Sequence, residues 1–216
     1  MDRLGERLNE LCMLVLKLFY IQILWLLFTL LGFILLGAGP STYAMFTVMR
    51  QWIRGNTDLP IFKTFLQAYK MGFKESAGFG ILYLAAGTII YVDLLYVHSQ
   101  LLRGLLIIIG FIYLISLTYI FPILVHYDWK GIMLKMKCSV LFGISHLQYT
   151  LILFVALAAV YFVLLRYPGT LAFFGVSAGS YMIMWMTNQV FKRIELHAAA
   201  IDAKDEEQAI KGGGGA

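Results

Sequence analysis

Residues Leu18–Arg50 read LFYIQILWLLFTLLGFILLGAGPSTYAMFTVMR, and the way this stretch divides decides how often the chain enters a membrane. Its first part, Leu18–Leu36, carries no charge. At about 1.5 Å per residue, these roughly 19 residues make about 29 Å of helix, close to the hydrocarbon thickness of about 30 Å. Gly37-Ala38-Gly39-Pro40 follows. Proline suits the first position of a helix, so Gly37, Gly39 and Pro40 predict a sharp turn into a short helix running from Pro40 to about Arg54.

Four further apolar runs lie downstream, at about Phe79–Tyr96, Gly104–Val125, Leu147–Leu165 and Leu171–Val190. The whole chain of 216 residues is 61% hydrophobic and 13% charged. Ordinary soluble domains hold about 45–50% apolar and about 25% charged residues, and a globule of this size cannot hide the excess. A soluble enzyme, a secreted disulfide scaffold, a disordered regulator and a DNA-binding domain are therefore excluded in favour of an integral membrane protein. The formal charge of +5 lies mostly beside apolar runs. It points to membrane orientation and anionic lipid rather than to nucleic acid. Cys12 and Cys138 form no Cys-x-x-Cys or Cys/His cluster and read as packing residues.

Charge decides the number of helices. Arg3, Arg7 and Lys17 precede the first run, and Arg50, Arg54, Lys63, Lys70 and Lys74 follow the Pro40 helix. Lys130, Lys135 and Lys137 lie in Val125–His146, and Lys192, Arg193, Lys204 and Lys211 lie in the tail. Only Arg103 and Arg166 occupy the two short hairpin turns. With five crossings, no orientation obeys the positive-inside rule. An extra crossing by the Pro40 helix puts fifteen of the 17 basic residues on the cytoplasmic side. The expected fold is an all-α polytopic membrane bundle of six membrane helices, the second short, with both termini cytoplasmic. Residues 1–193 form one transmembrane domain and residues 194–216 a polar cytoplasmic tail, whose last stretch, KGGGGA, reads as a flexible linker or cloning scar.

Two basic stretches between spans look amphipathic. In Leu59–Ala77, Phe62, Phe65, Leu66, Tyr69 and Phe73 share one helical face, while Lys63, Lys70 and Lys74 occupy the other. In Asp128–His146, Lys130, Lys135 and Lys137 stand beside Ile132, Met133, Met136, Val140 and Leu141. Both are expected as cytoplasmic connectors whose lysines meet anionic headgroups or a partner protein. FLQAYKMGFKES and LKMKCSVLFGIS, one from each, suggest a weak internal duplication.

Side chains suited to catalysis are sparse. No HExxH, GxSxG or P-loop pattern occurs, and the one close His/carboxylate pair, His126 and Asp128, does not share a helix face. No enzyme activity, cofactor or metal is expected. Asp93, near the external boundary, is expected to be hydrated or to pair with Arg103 across its hairpin turn rather than to form a substrate or proton site, and Gln22 to make an interhelical hydrogen bond. Gly175 and Gly179 form a small-xxx-small pattern that serves either an internal helix contact or another subunit of a homo-oligomer.

Gly32-Phe-Ile-Leu-Leu-Gly37-Ala-Gly-Pro40-Ser-Thr-Tyr-Ala44, with Arg50-Gln-Trp52 after it, resembles a signature of the YesL-like family of small bacterial integral membrane proteins of unknown function. Phe65, Phe73 and Lys74, and Phe121-Pro122 with His126-Tyr127, fit the same pattern, and the resemblance spans roughly Leu11 to Arg193. It implies an accessory role beside bacterial importers of oligosaccharides, with permease or ATPase subunits as partners and no catalytic residues to carry over. The expected function is thus an accessory membrane subunit of a carbohydrate ABC-type importer. The alternative is an independent small-solute transporter or channel, oligomeric in form.

Overall fold

The computed structural model describes residues 2–127 and 131–213, and among them the chain forms seven helices. They are α1 (Asp2–Leu31), α2 (Leu35–Ile53), α3 (Ile61–Tyr96), α4 (Gln100–His126), α5 (Ile132–Ser145), α6 (Leu147–Arg166) and α7 (Pro168–Gly213). Five of these, α1, α3, α4, α6 and α7, are long and apolar enough to cross a membrane. The chain is a multi-pass, all-helical membrane protein. α2 is not among those five.

The first reversal of the chain comes earlier than its glycine–proline punctuation suggests. α1 stops at Leu31, and Gly32-Phe33-Ile34 makes the turn, with φ of 56° at Phe33 and 58° at Ile34. Its amides are paired within the turn: Gly32 N–H donates to Phe28 O at 3.1 Å, Phe33 to Leu30 O at 3.1 Å and Ile34 to Thr29 O at 2.9 Å. These bonds leave none of the three turn amides unpaired. Gly37, Gly39 and Pro40 lie inside α2, so the expectation that they form the turn is corrected.

The glycines are there for contact. A Cβ on Gly37 would stand 2.5 Å from the Thr29 carbonyl oxygen of α1, and one on Gly39 would stand 2.8 Å from the Ser76 carbonyl carbon of α3. Pro40 sits in the second turn of α2, where its missing N–H deprives a single carbonyl of its helical partner. Leu35, Leu36 and the residues up to Gly39 are already helical, so α2 has 19 residues and about 28 Å, rather than beginning at Pro40.

α2 is the core of the molecule. Ten of its residues are buried, among them Ala44, Met45, Phe46, Val48, Met49 and Trp52, and it touches α1, α3, α4 and α7. A helix wrapped by protein needs less apolar surface than one facing lipid. That explains why α2 carries glycines, a proline and Ser41 where the crossing helices carry leucine.

α3 corrects the first expected connector. Its 36 residues form one helix of about 54 Å, without a break between Leu59–Ala77 and the span from Phe79. Phe65 and Ala68 are fully or nearly buried in the cluster built by α1 and α2, and Lys63, Lys70 and Lys74 are exposed. The amphipathic spacing is real, but its apolar face lies on protein rather than flat on a lipid surface. Met71–Gly78 contains no proline, and glycine alone does not stop a helix held on both flanks.

α5 corrects the second connector, and more sharply. Its polar side faces inward: Lys135 is 3% exposed and Ser139 fully buried. Its outward side carries Met133, Leu134, Leu141 and Ile144, all at least 48% exposed. Ser139 Oγ bonds Ser116 Oγ at 2.8 Å. Ser116 lies about ten residues, or about 15 Å, inside α4 from its end at His126. α5 therefore runs inward along α4 with apolar side chains outermost. The duplication is not a structural one either, since one proposed copy is half of α3 and the other is a separate helix.

Candidate functional site

Several polar side chains inside the bundle hold helices together. Gln22 of α1 donates through Nε2 to Ala172 O at 3.3 Å and accepts the Ser177 N–H at 2.8 Å, which fastens α1 to α7 as its sequence context predicts. Tyr83 of α3, Ser116 of α4 and Ser139 of α5 form one hydroxyl chain, with oxygens 2.5 and 2.8 Å apart. Tyr119 of α4 shares a 3.0 Å bond with Thr150 of α6, whose hydroxyl also donates to Gly143 O. Each such bond in a membrane bundle is worth on the order of 0.6 kcal/mol, reaching about 1.7. These are fastenings, not reactive groups.

Arg50 has a role that charge counting misses. Its guanidinium donates to the Val125 carbonyl at 2.5 Å and to the His126 carbonyl at 3.5 Å, capping the last turn of α4. A cation there satisfies orphan carbonyls and meets the negative end of the helix dipole. The His126 ring meets Tyr127 edge-on and Phe191 at a tilt, both at 4.5 Å between centroids. Asp128, its expected carboxylate neighbour, lies outside the described residues.

One concavity combines charge with aromatic surface. Asn9, Glu10, Lys17, Trp52, Asp58 and Tyr181 line about 430 Å³ where the start of α1, the α2–α3 connection and α7 meet. Lys17 Nζ donates to Thr57 O at 2.9 Å, which ties that connection to α1. Carboxylate acceptors beside two aromatic faces suit a small polar ligand or a partner's side chain. No sequence motif marks this place, because its residues come from three separate segments.

The expected site residues part company here. Lys63, Lys70 and Lys74 are exposed on α3, and Lys63 lies five positions beyond Asp58 of that concavity. Lys135 is withdrawn into an ion pair with Glu75 of α3, at 2.5 Å, and does not face lipid or a partner. Lys137 is exposed in an apolar groove, and Lys130 lies outside the described residues. Gly175 and Gly179 meet α6: Tyr161 donates to the Gly175 carbonyl at 2.9 Å, and a Cβ on Gly179 would stand 2.7 Å from the Tyr161 hydroxyl. That is an internal contact. Asp93 is exposed and does not pair with Arg103, and Cys12 is exposed rather than packed.

An all-helical multi-pass bundle, closed by short polar ties and carrying a glycine-lined α1–α2 junction, is the class of protein defined here. Residues 18–94 match the family described as "Protein of unknown function, DUF624". The chain is 39% identical over 196 residues to "Uncharacterized protein YteU" of Bacillus subtilis (strain 168), covering 88% of each chain. It is 31% identical over 190 residues to "Uncharacterized protein YesV" of that organism, covering 85% of this chain and 91% of the relative. It is 29% identical over 204 residues to "Uncharacterized protein YesL", covering 93% and 94%. The chain belongs to this YesL-like family. No solved structure matches it.

Proposed function

We propose that the chain is an accessory subunit of a bacterial carbohydrate (oligosaccharide) ABC-type import system, acting through helix packing and cytoplasmic-face contacts. The observation that carries the accessory reading is where polarity goes. Gln22, Tyr83, Ser116, Ser139, Tyr119 and Thr150 bond other helices. The charged concavity at Glu10, Lys17 and Asp58 lies where the start of α1 meets the α2–α3 connection, with the exposed Lys63 five positions beyond Asp58. A bundle so arranged presents a docking end rather than a polar route through its middle. The importer itself is suggested by the family resemblance alone.

The same reading places the chain in the bacterial cytoplasmic membrane with both termini in the cytoplasm and six membrane helices, α2 being the second. The α1–α2 tip, Leu30–Leu36, holds no polar side chain, and Phe33 is 85% exposed. Gly39 near that tip packs against Ser76, Ala77 and Gly80. Those residues stand about 16–20 positions, or about 24–30 Å, short of the end of α3 at Tyr96. On this reading the hairpin stops short of the far side and returns to the side it left. The basic residues before α1, after α2, around α5 and beyond α7 then share one face, as the positive-inside rule asks.

Affinity purification of the tagged full chain in mild detergent tests the function. Permease or ATPase subunits of a sugar importer should be recovered with it. Recovery of this chain and lipid alone, together with solute flux in liposomes that contain only this protein, would replace the accessory reading with that of an independent transporter or channel.

A further inference from the structure

α5 carries two lysines two positions apart, and a helix turns about 100° per residue, so they face opposite sides. Lys135 points inward to Glu75. Lys137 points outward into a groove of about 750 Å³ between α3, α4 and α5, whose other walls include Leu82, Met133, Met136, Val140 and Leu141. The polar group contributed by α4, the Ser116 hydroxyl, is already bonded to Tyr83 and Ser139. Lys137 is left as the cation of an otherwise apolar trough, without a protein partner among the described residues.

An ammonium on the lipid-facing side of an embedded helix is costly unless it reaches an anion, and a lysine stem is long enough to carry its charge toward the headgroup layer. Lys137 lies between Lys135, level with Glu75, and Ser139, level with Ser116, so the groove runs from near the membrane boundary into the apolar part of α3 and α4. Its volume falls in the range of specific small-ligand sites, about 300–1,000 Å³. Local charge selects the occupant. Glu75 is taken by Lys135, and α3 adds the exposed Lys74 beside it, which leaves the neighbourhood positive.

We propose that this groove binds one anionic phospholipid, with an acyl chain along Leu82, Met136 and Val140 and the headgroup phosphate at Lys137. The site holds α5 against α3 and α4 from the outside, as the ion pair and the hydroxyl chain do from within.

Native mass spectrometry of the full chain, exchanged into detergent holding equal phosphatidylglycerol and phosphatidylcholine, reads the occupant directly. Wild type should retain one phosphatidylglycerol in preference to phosphatidylcholine. Lys137→Gln should lower that retention about fivefold, the effect of one lysine near an anionic surface. Lys137→Arg should keep it, Val140→Trp should reduce it by filling the trough, and Lys63→Gln, outside the groove, should leave it unchanged. Equal retention of both lipids by wild type, or unchanged phosphatidylglycerol in Lys137→Gln, would overturn the proposal. So would release of the lipid by millimolar inorganic phosphate, which would mark a phosphate site without acyl recognition. A matching gel-filtration profile for Lys137→Gln and Lys137→Arg excludes misfolding as the cause of loss.

Discussion

Gly39 and Gly78 are both helical glycines, the first buried and the second exposed, and a methyl group added to each would meet different surroundings. At Gly39 it would stand 2.8 Å from the Ser76 carbonyl carbon and 3.2 Å from Ala77 Cα, and backbone cannot step aside as a side chain can. At Gly78 it would meet nothing within 4 Å. Gly39→Ala should therefore cost about 1–3 kcal/mol by forcing α2 away from α3. Gly78→Ala should be neutral, or gain about 0.5–1 kcal/mol from the lower backbone entropy of alanine. Thermal unfolding in detergent checks both, and equal losses would contradict the α2–α3 contact. The sequence shows that Gly37, Gly39 and Pro40 are special, but glycine and proline punctuate a chain alike whether it turns or merely touches something. The true turn falls at Phe33 and Ile34, residue types that give no signal of positive φ.

Among the elements, α3 and α5 show how far periodicity reaches. The spacing of Phe65 and Phe73 against Lys63, Lys70 and Lys74 correctly separates two faces of a helix. It does not say what covers the apolar face, and here α1 and α2 cover it. In α5, two lysines beside apolar residues look in the sequence like a solvated stripe. Lys135 is nonetheless buried, because Glu75, about sixty positions away in sequence, waits for it across the helix contact. Removing one partner of a buried pair costs about 3–5 kcal/mol. Glu75 keeps 46% of its side-chain exposure, so Glu75→Gln should cost less, about 2 kcal/mol. The double variant Glu75→Gln with Lys135→Met should recover most of that loss, because no unpaired ammonium then remains buried. A double variant no more stable than Glu75→Gln would show that Lys135 does not depend on this carboxylate.

Over the whole molecule, composition alone makes the membrane assignment, and five helices long and apolar enough to cross agree with it. Charge adds orientation: with the α1–α2 hairpin returning to its starting side, Arg103 and Arg166 are the basic residues left on the far face. The concavity at Glu10, Trp52 and Asp58 stays hidden in the sequence, because three distant segments meet there only after α2 has been wrapped by its neighbours. Its position at the docking end depends on that same return. Single cysteines placed in a Cys12→Ser, Cys138→Ser background, at Phe33, Asn56 and Ser99, measure it in intact cells and inverted vesicles with a membrane-impermeant thiol reagent. The expected result is labelling of Ser99→Cys from outside, of Asn56→Cys from the cytoplasmic side only, and of Phe33→Cys from neither. Labelling of Asn56→Cys from outside would contradict the return of the hairpin, and with it the shared cytoplasmic face on which the proposed function rests.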